Sequence, residues 1–131
     1  MSKISPPGQF LQEFFAGFTE EVLADPDAVE LIVDRYYTAD IEQIVDGVRM
    51  DRARLVQHVR PVQRNLRRYR YDFHEVWRYD EKLAARFAVH AELRSGRVMS
   101  TEVQLMAEFA PDGRMRRAHQ LTQTLEPLAE L

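Results

Sequence analysis

From Tyr69 onward the apolar residues recur at every second position, and this rhythm continues almost to the C-terminus. A period of two is the signature of strands with one buried and one wet face, and it excludes a helical bundle. Tyr69, Tyr71, Phe73, Glu75 and Trp77 alternate with Arg70, Asp72, His74, Val76 and Arg78. After the turn Asp80-Glu81-Lys82, the series Leu83, Ala85, Phe87, Val89, Ala91, Leu93 alternates with Ala84, Arg86, Ala88, His90 and Glu92. Ser95-Gly96-Arg97 is a second turn. Met99, Thr101, Val103, Leu105, Ala107 and Phe109 then alternate with Ser100, Glu102, Gln104, Met106 and Glu108. Pro111-Asp112-Gly113 is a hairpin signal. A last strand runs from Arg114 to about Leu125, where Pro127 ends it. Four strands joined by short turns form an antiparallel meander with one face to be covered.

The cover lies upstream. Phe10, Leu11, Phe14, Phe15, Phe18, Val22 and Leu23 fit one helical stripe over 9–23. Asp25-Pro26 reads as N-cap and first position of a second helix reaching about Tyr37, with Val29, Ile32, Val33 and Tyr36 on one side. Ile41, Ile44 and Val45 follow as a short strand closed by Asp46-Gly47. Asp51 caps a third helix bearing Leu55, Val56, Val59, Val62 and Leu66, which Pro61 is expected to kink or split. Residues 1–8, with Pro6, Pro7 and Gly8, read as a flexible arm, 9–126 as one domain and 127–131 as a tail. Helices grouped first and strands last give an α+β fold, a curved antiparallel sheet wrapped round N-terminal helices. Such a sheet, covered on one side, leaves a cone whose open end is a natural small-molecule pocket.

Composition narrows the function classes. The chain has 131 residues, 45% hydrophobic and 30% charged, with no cysteine. It is long enough for a real core and carries no disulfide, thiol nucleophile or thiolate metal site. A net charge of -3 gives no global attraction for nucleic acid or anionic membrane. The stretch RPVQRNLRRYRY interleaves arginines and tyrosines, but it reads as a helix face passing into a charge-protected edge strand. No apolar run approaches membrane-spanning length, and MSKISPPGQFLQEFF lacks a leader pattern, so a cytoplasmic protein is expected. No Gly-rich phosphate loop and no helical metal-ligand spacing is visible, so neither cofactor nor metal is expected.

The element order, the helix running into YYTADIEQIVDG, the strand in YDEKLAARFAVHAEL and the final hairpin in EFAPDGRMRRAHQLTQT together resemble the nuclear transport factor two-like superfamily, in particular its SnoaL-like branch. The resemblance covers about residues 9–126. It implies a cone fold hosting isomerases, cyclases, dehydratases, hydrolases and non-catalytic members, so fold alone names no reaction.

The resemblance puts Asp46 where ketosteroid isomerase-like members carry a general base; the alternative is a turn residue bonding nearby amides. The isomerase's oxyanion acid falls at Leu105, and the first helix offers phenylalanines where a tyrosine is needed. The cyclases' acid/base pair falls near Ala118 and Gln120, with His119 one position off and on the opposite strand face unless a bulge intervenes. His119 is thus either a base or a sheet-surface residue. Tyr37, Trp77, Phe87, Met99 and Phe109 are expected to line or close the cone, with Glu75 and Arg116 as inward polar residues and Tyr37 and Gln120 orienting a ligand. His58 reads as solvent-facing. His74 and His90 lie on polar strand faces, where a metal site needs a further carboxylate such as Glu92 or Glu102. The expected function is a small-molecule pocket protein, a cofactor-independent isomerase, cyclase or dehydratase acting on an apolar, ring-bearing metabolite; the alternative is a non-catalytic binding or dimerising module. The resemblance also implies a homodimer through the outer sheet face, with Arg86, His90, Glu92, Glu102 and Gln104 at the interface.

Overall fold

The computed structural model describes residues 6–131. Helix α1 spans Pro7–Ala24. Pro7 and Gly8, read from sequence as part of an arm, instead open this helix. Proline suits the first helical position, because its missing N–H has no intrahelical partner there. The rest of that arm, residues 1–5, lies outside the described residues. Asp25 donates its backbone N–H to Glu21 O at 3.0 Å, but its side chain caps nothing. A 3-10 turn, Pro26–Ala28, leads instead into α2, Val29–Tyr36, which buries Val29, Ile32 and Val33.

Strand β1, Tyr37–Val45, follows α2 without a loop, so it starts earlier than the sequence pattern implies. Tyr37 and Thr38 are both buried while Ala39 and Asp40 are exposed, which hides the alternation. Only Ile41, Gln43 and Val45 keep a period of two facing inward. The chain then turns through Asp46 and Gly47, at φ 50° and 82°, into a short strand β2, Val48–Met50. Two left-handed residues make the tight hairpin turn that Asp-Gly favours. The Asp46 carboxylate accepts from the Thr122 backbone N–H at 2.8 Å and from the Thr122 hydroxyl at 2.5 Å. Helix α3, Arg52–Asn65, is capped by Asp51, whose side chain accepts from Arg54 N at 2.9 Å. Pro61 does not split it. The carbonyl that Pro61 leaves unbonded belongs to Gln57, and both residues face solvent, so water can satisfy it.

The four long strands are β3 (Leu66–Tyr79), β4 (Lys82–Leu93), β5 (Val98–Phe109) and β6 (Met115–Leu125). The sheet order is β2-β1-β6-β5-β4-β3. It is mixed: β1 and β6 run parallel, the other neighbours antiparallel. The three helices pack against this curved, unclosed sheet. In β4 and β5 the expected inner set holds over the middle of the strands, where Leu83, Ala85, Phe87, Val103, Leu105, Ala107 and Phe109 are buried, but towards the far ends Val89, Ala91, Leu93 and Thr101 are half-buried and Met99 is exposed.

In β3 the alternation breaks. Phe73 pairs with Phe87, but Glu75 pairs with Arg86, leaving His74 as an extra residue. This bulge reverses the faces that follow. Val76 packs against the core, whereas Trp77 is 70% exposed on the outer face.

The turn at Asp46 generates a stability prediction. The Thr122 bonds hold the Asp46 carboxyl below its ordinary value of 3.8. Their contribution is therefore complete at neutral pH and is lost as the pH falls below that value. Asp46→Ala is expected to lower the melting temperature by roughly a few degrees, since alanine tolerates the left-handed backbone poorly. Asp46→Asn, which tolerates that backbone, costs less. Thermal melts at pH 7 and pH 3 check this: the Ala variant's deficit shrinks at pH 3. Equal melting of Ala and Asn variants at pH 7 contradicts it.

Candidate functional site

Between the inner sheet face and the helices lies a cavity of about 300 Å³. That is the lower end of the ~300–1,000 Å³ range typical of ligand pockets. Its walls are largely apolar: Phe15, Phe18 and Val22 from α1, Leu55, Val59 and Val62 from α3, and Phe87, Val89 and Val103 from the sheet. The stripe that makes each helix amphipathic is thus also the wall of the cavity.

The polar lining consists of Thr19, Tyr37, Gln43, His58, Tyr71, Gln120 and Thr122. Among the described residues the lining includes no aspartate, glutamate, lysine or arginine. The Thr19 hydroxyl donates to Phe15 O at 2.9 Å, so Tyr71 is the donor in the 2.8 Å contact between their hydroxyls. Burial drives the Tyr37 phenol above its ordinary range, with the neighbouring Tyr71 adding to it. Burial raises Tyr71 as well, against the opposing bond to Thr19. Both phenols therefore remain neutral donors at physiological pH. Gln120 Nε2 donates to Gln43 Oε1 at 3.3 Å. Gln43 is 4% exposed, and its own Nε2 has no hydrogen-bond partner among the described residues. A buried donor left unpaired costs about 1–3 kcal/mol.

The expected site residues separate into two groups. Tyr37, Phe87 and Gln120 line the cavity, and Leu105 is buried in the adjoining core. The others lie elsewhere. Asp46 is exposed at its turn, its carboxylate occupied by Thr122. Met99 is 40% exposed, away from the cavity. Trp77 and Glu75 are turned outward by the bulge at His74, and Glu75 stands 3.8 Å from Arg86. Arg116 occupies a register irregularity between Met115 and Arg117 and pairs with Glu108 at 2.9 Å. His119 pairs in register with Met106 on the outer face, as plain alternation from the buried Ala118 requires. His90 is buried on that face, its Nδ1 2.7 Å from Ser100 Oγ and its Nε2 3.2 Å from Asp72. His74 is exposed, and no cluster of three metal-ligating side chains occurs among the described residues.

Gln43, His58, Thr19 and Tyr71 were missed as lining residues. Gln43 had a readable signal, a polar residue at an inward position between Ile41 and Val45. His58 had one too: it sits three residues after Leu55 and four before Val62, beside the α3 stripe. It is exposed to solvent and yet borders the cavity. Among the described residues no helix is long and apolar enough to cross a membrane.

No protein-family model matches the sequence, and no curated protein matches it. Solved structures do. An NTF2-like protein of unknown function from Exiguobacterium sp. 255-15 is 15% identical, covering 87% of this chain and 98% of its own, with a TM-score of 0.67. A proposed isomerase from Rhodopseudomonas palustris is 18% identical over 84% of this chain and 87% of its own, with a TM-score of 0.68. IdmH, a proposed polyketide cyclase from Streptomyces antibioticus, is 14% identical over 85% and 90%, with a TM-score of 0.61. With three helices packed against a curved, unclosed six-stranded sheet, the chain has the NTF2-like (nuclear transport factor two-like) α+β cone fold.

Proposed function

We propose that this chain is a small-molecule pocket protein whose cone takes an apolar, ring-bearing metabolite. The observation that carries this reading is the cavity itself: aromatic and aliphatic walls with a few polar groups and, among the described residues, no aspartate, glutamate, lysine or arginine. Such a lining favours burial of a flat apolar body and penalises an unpaired ion. The assignments of two neighbours, a proposed isomerase and a proposed polyketide cyclase, make acid/base chemistry the first reaction class to assay. If turnover occurs, His58 is the group to examine first, because it carries the one imidazole among the described lining residues. Asp46 serves as base only if its carboxylate leaves Thr122, and His119 only from the outer face.

The test uses the neutral fluorophore N-phenyl-1-naphthylamine. The wild-type protein is expected to bind it saturably. Val103→Trp, which fills the cone from the sheet side, is expected to weaken binding by roughly tenfold or more, since the added indole occupies the space the dye would take. A variant that melts cooperatively and binds the dye as tightly as wild type overturns the reading.

A separate observation supports self-association. Trp77, Ala84, Met106, His119 and Ile44 pair in register as one row across five strands of the outer face. Trp77, Met106 and Ile44 are 70%, 61% and 39% exposed. At ~4.8 Å between strands the row is about 19 Å long. The next row on one side contains Glu75, Arg86 and Gln104, and on the other Lys82, Glu108 and Arg117, so both rims carry polar and charged groups. An apolar centre within a polar rim is the anatomy of a protein interface. We therefore place the homodimer contact on this row. It differs from the polar set expected from sequence, in which His90 is buried and Arg86 is held by Glu102 at 3.0 Å.

Sedimentation at micromolar concentration is expected to give a dimer for wild type and a monomer for the Trp77→Glu, Met106→Glu double variant. Trp77 is the sole tryptophan, so its emission should move to the red as the dimer is diluted apart. A wild-type monomer at these concentrations contradicts the assignment.

A further inference from the structure

We infer that His119 makes the outer-face contact between two copies of this chain pH-sensitive: the pair holds while the imidazole is neutral and parts as it takes up a proton. This deepens the self-association reading above and rests on it. His119 stands in the row Trp77, Ala84, Met106, His119 and Ile44, which Arg49 of β2 ends beyond Ile44. It is exposed, and hollows of about 290 and 570 Å³ lie along the two sides of the row, with His119 bordering both. Its ring makes no hydrogen bond or ion pair among the described residues. A two-fold contact applies the same surface to itself. Centred on Met106, the row meets its own reverse, which sets His119 against Ala84 of the second copy and Trp77 against Ile44. Ala84 leaves room for an imidazole and offers it no side-chain acceptor.

The charges around His119 leave a proton there uncompensated. On β6 its same-face neighbours are Arg117 and Leu121. On β5, Glu108 is held by Arg116 at 2.9 Å and stands 3.7 Å from Arg117. On β1, Glu42 is bonded by Arg49 at 2.7 Å, and the Asp46 carboxylate is taken by Thr122. On β4, Arg86 is held by Glu102 at 3.0 Å, and Lys82 is a further cation. On β3, Glu75 lies 3.8 Å from Arg86, and Arg78 and Tyr79 border the larger hollow. The acids are thus already occupied, and the nearest charge along the strand is positive. A neutral imidazole enters the contact with one donor and one acceptor. An imidazolium enters as an ion without a partner, beside Arg117, at a much larger cost. The pair therefore binds fewer protons than two separate chains, and a falling pH drives it apart. Imidazole is the side chain whose charge ordinarily changes between pH 5 and 8.

Sedimentation of the wild-type chain at pH 8 and pH 5.5 is the test, with thermal melts at each pH to keep loss of the pair distinct from loss of the fold. The dimer dissociation constant is expected to rise roughly tenfold or more at the lower pH, because each copy contributes one imidazole. His119→Gln, which keeps a neutral polar side chain, is expected to dimerise equally at both. His119→Arg, a fixed cation, is expected to stay monomeric at both. A wild-type dimer equally tight at the two pH values overturns this inference and leaves the self-association reading standing. So does a dimer that tightens at pH 5.5, as when an acid of the second copy receives the imidazolium. So does a pH dependence that survives in His119→Gln, as when the buried His90 is its source. A wild-type monomer already at pH 8 overturns both.

Discussion

The ring of Phe14 ties the helical layer to the sheet. Its neighbours are Phe10 and Phe15 on α1, Tyr36 at the end of α2, Tyr37 at the start of β1 and Phe109 at the end of β5, at centroid distances of 5.2–6.2 Å and mostly edge-to-face. Edge-to-face pairs contribute beyond the area they bury. They also fix angles, which aliphatic contacts do not. Because α2 passes into β1 at Tyr36-Tyr37 without a loop, the same ring sets where β1 enters the sheet. The direction of β1 in turn determines where Gln43 and the Asp46 turn lie. Phe18 repeats the arrangement one helical turn on, against Tyr36 and Tyr37.

That packing closes one part of the cone and leaves another part hollow. Phe10, Phe14 and Phe109 are packed into each other, whereas Phe15, Phe18, Phe87 and Val103 each present one side to the cavity. Core and cavity wall are a single surface. Polar groups on this surface satisfy one another where they can, as Thr19 and Tyr71 do.

The layout of the fold was legible because it rests on two periods. The 3.6-residue stripe of α1 and the two-residue alternation of β4 and β5 place every buried apolar residue of those elements but Ala88, though not the buried Thr19, His90 and Ser100, and the helix cap at Asp51 could be read directly. The site was less legible, because its residues depend on which face a strand turns inward. A bulge is an extra residue with no compositional mark: nothing about His74 announces it, yet it moved Glu75 and Trp77 to the outside. The start of β1 was hidden by Tyr37 and Thr38 being buried in succession. Pro7 and Pro61 read as breakers, but the first takes the position where its ring is preorganised and the second faces water. Asp46 shows that a carboxylate beside glycine gives the same local signal as a base and as a turn. Its hydrogen-bond partner Thr122 is distant in sequence and has no local mark.

The bulge at His74 also has an evolutionary meaning. It is the single point at which the far half of β3 is assigned to one side of the sheet or the other. Losing that residue would send the indole of Trp77 toward the helices and bring Val76 out to solvent. The row that spans the outer face would lose its largest member, and the interior would acquire a large ring near the cone. One inserted or deleted codon at this position therefore trades surface stickiness against interior volume.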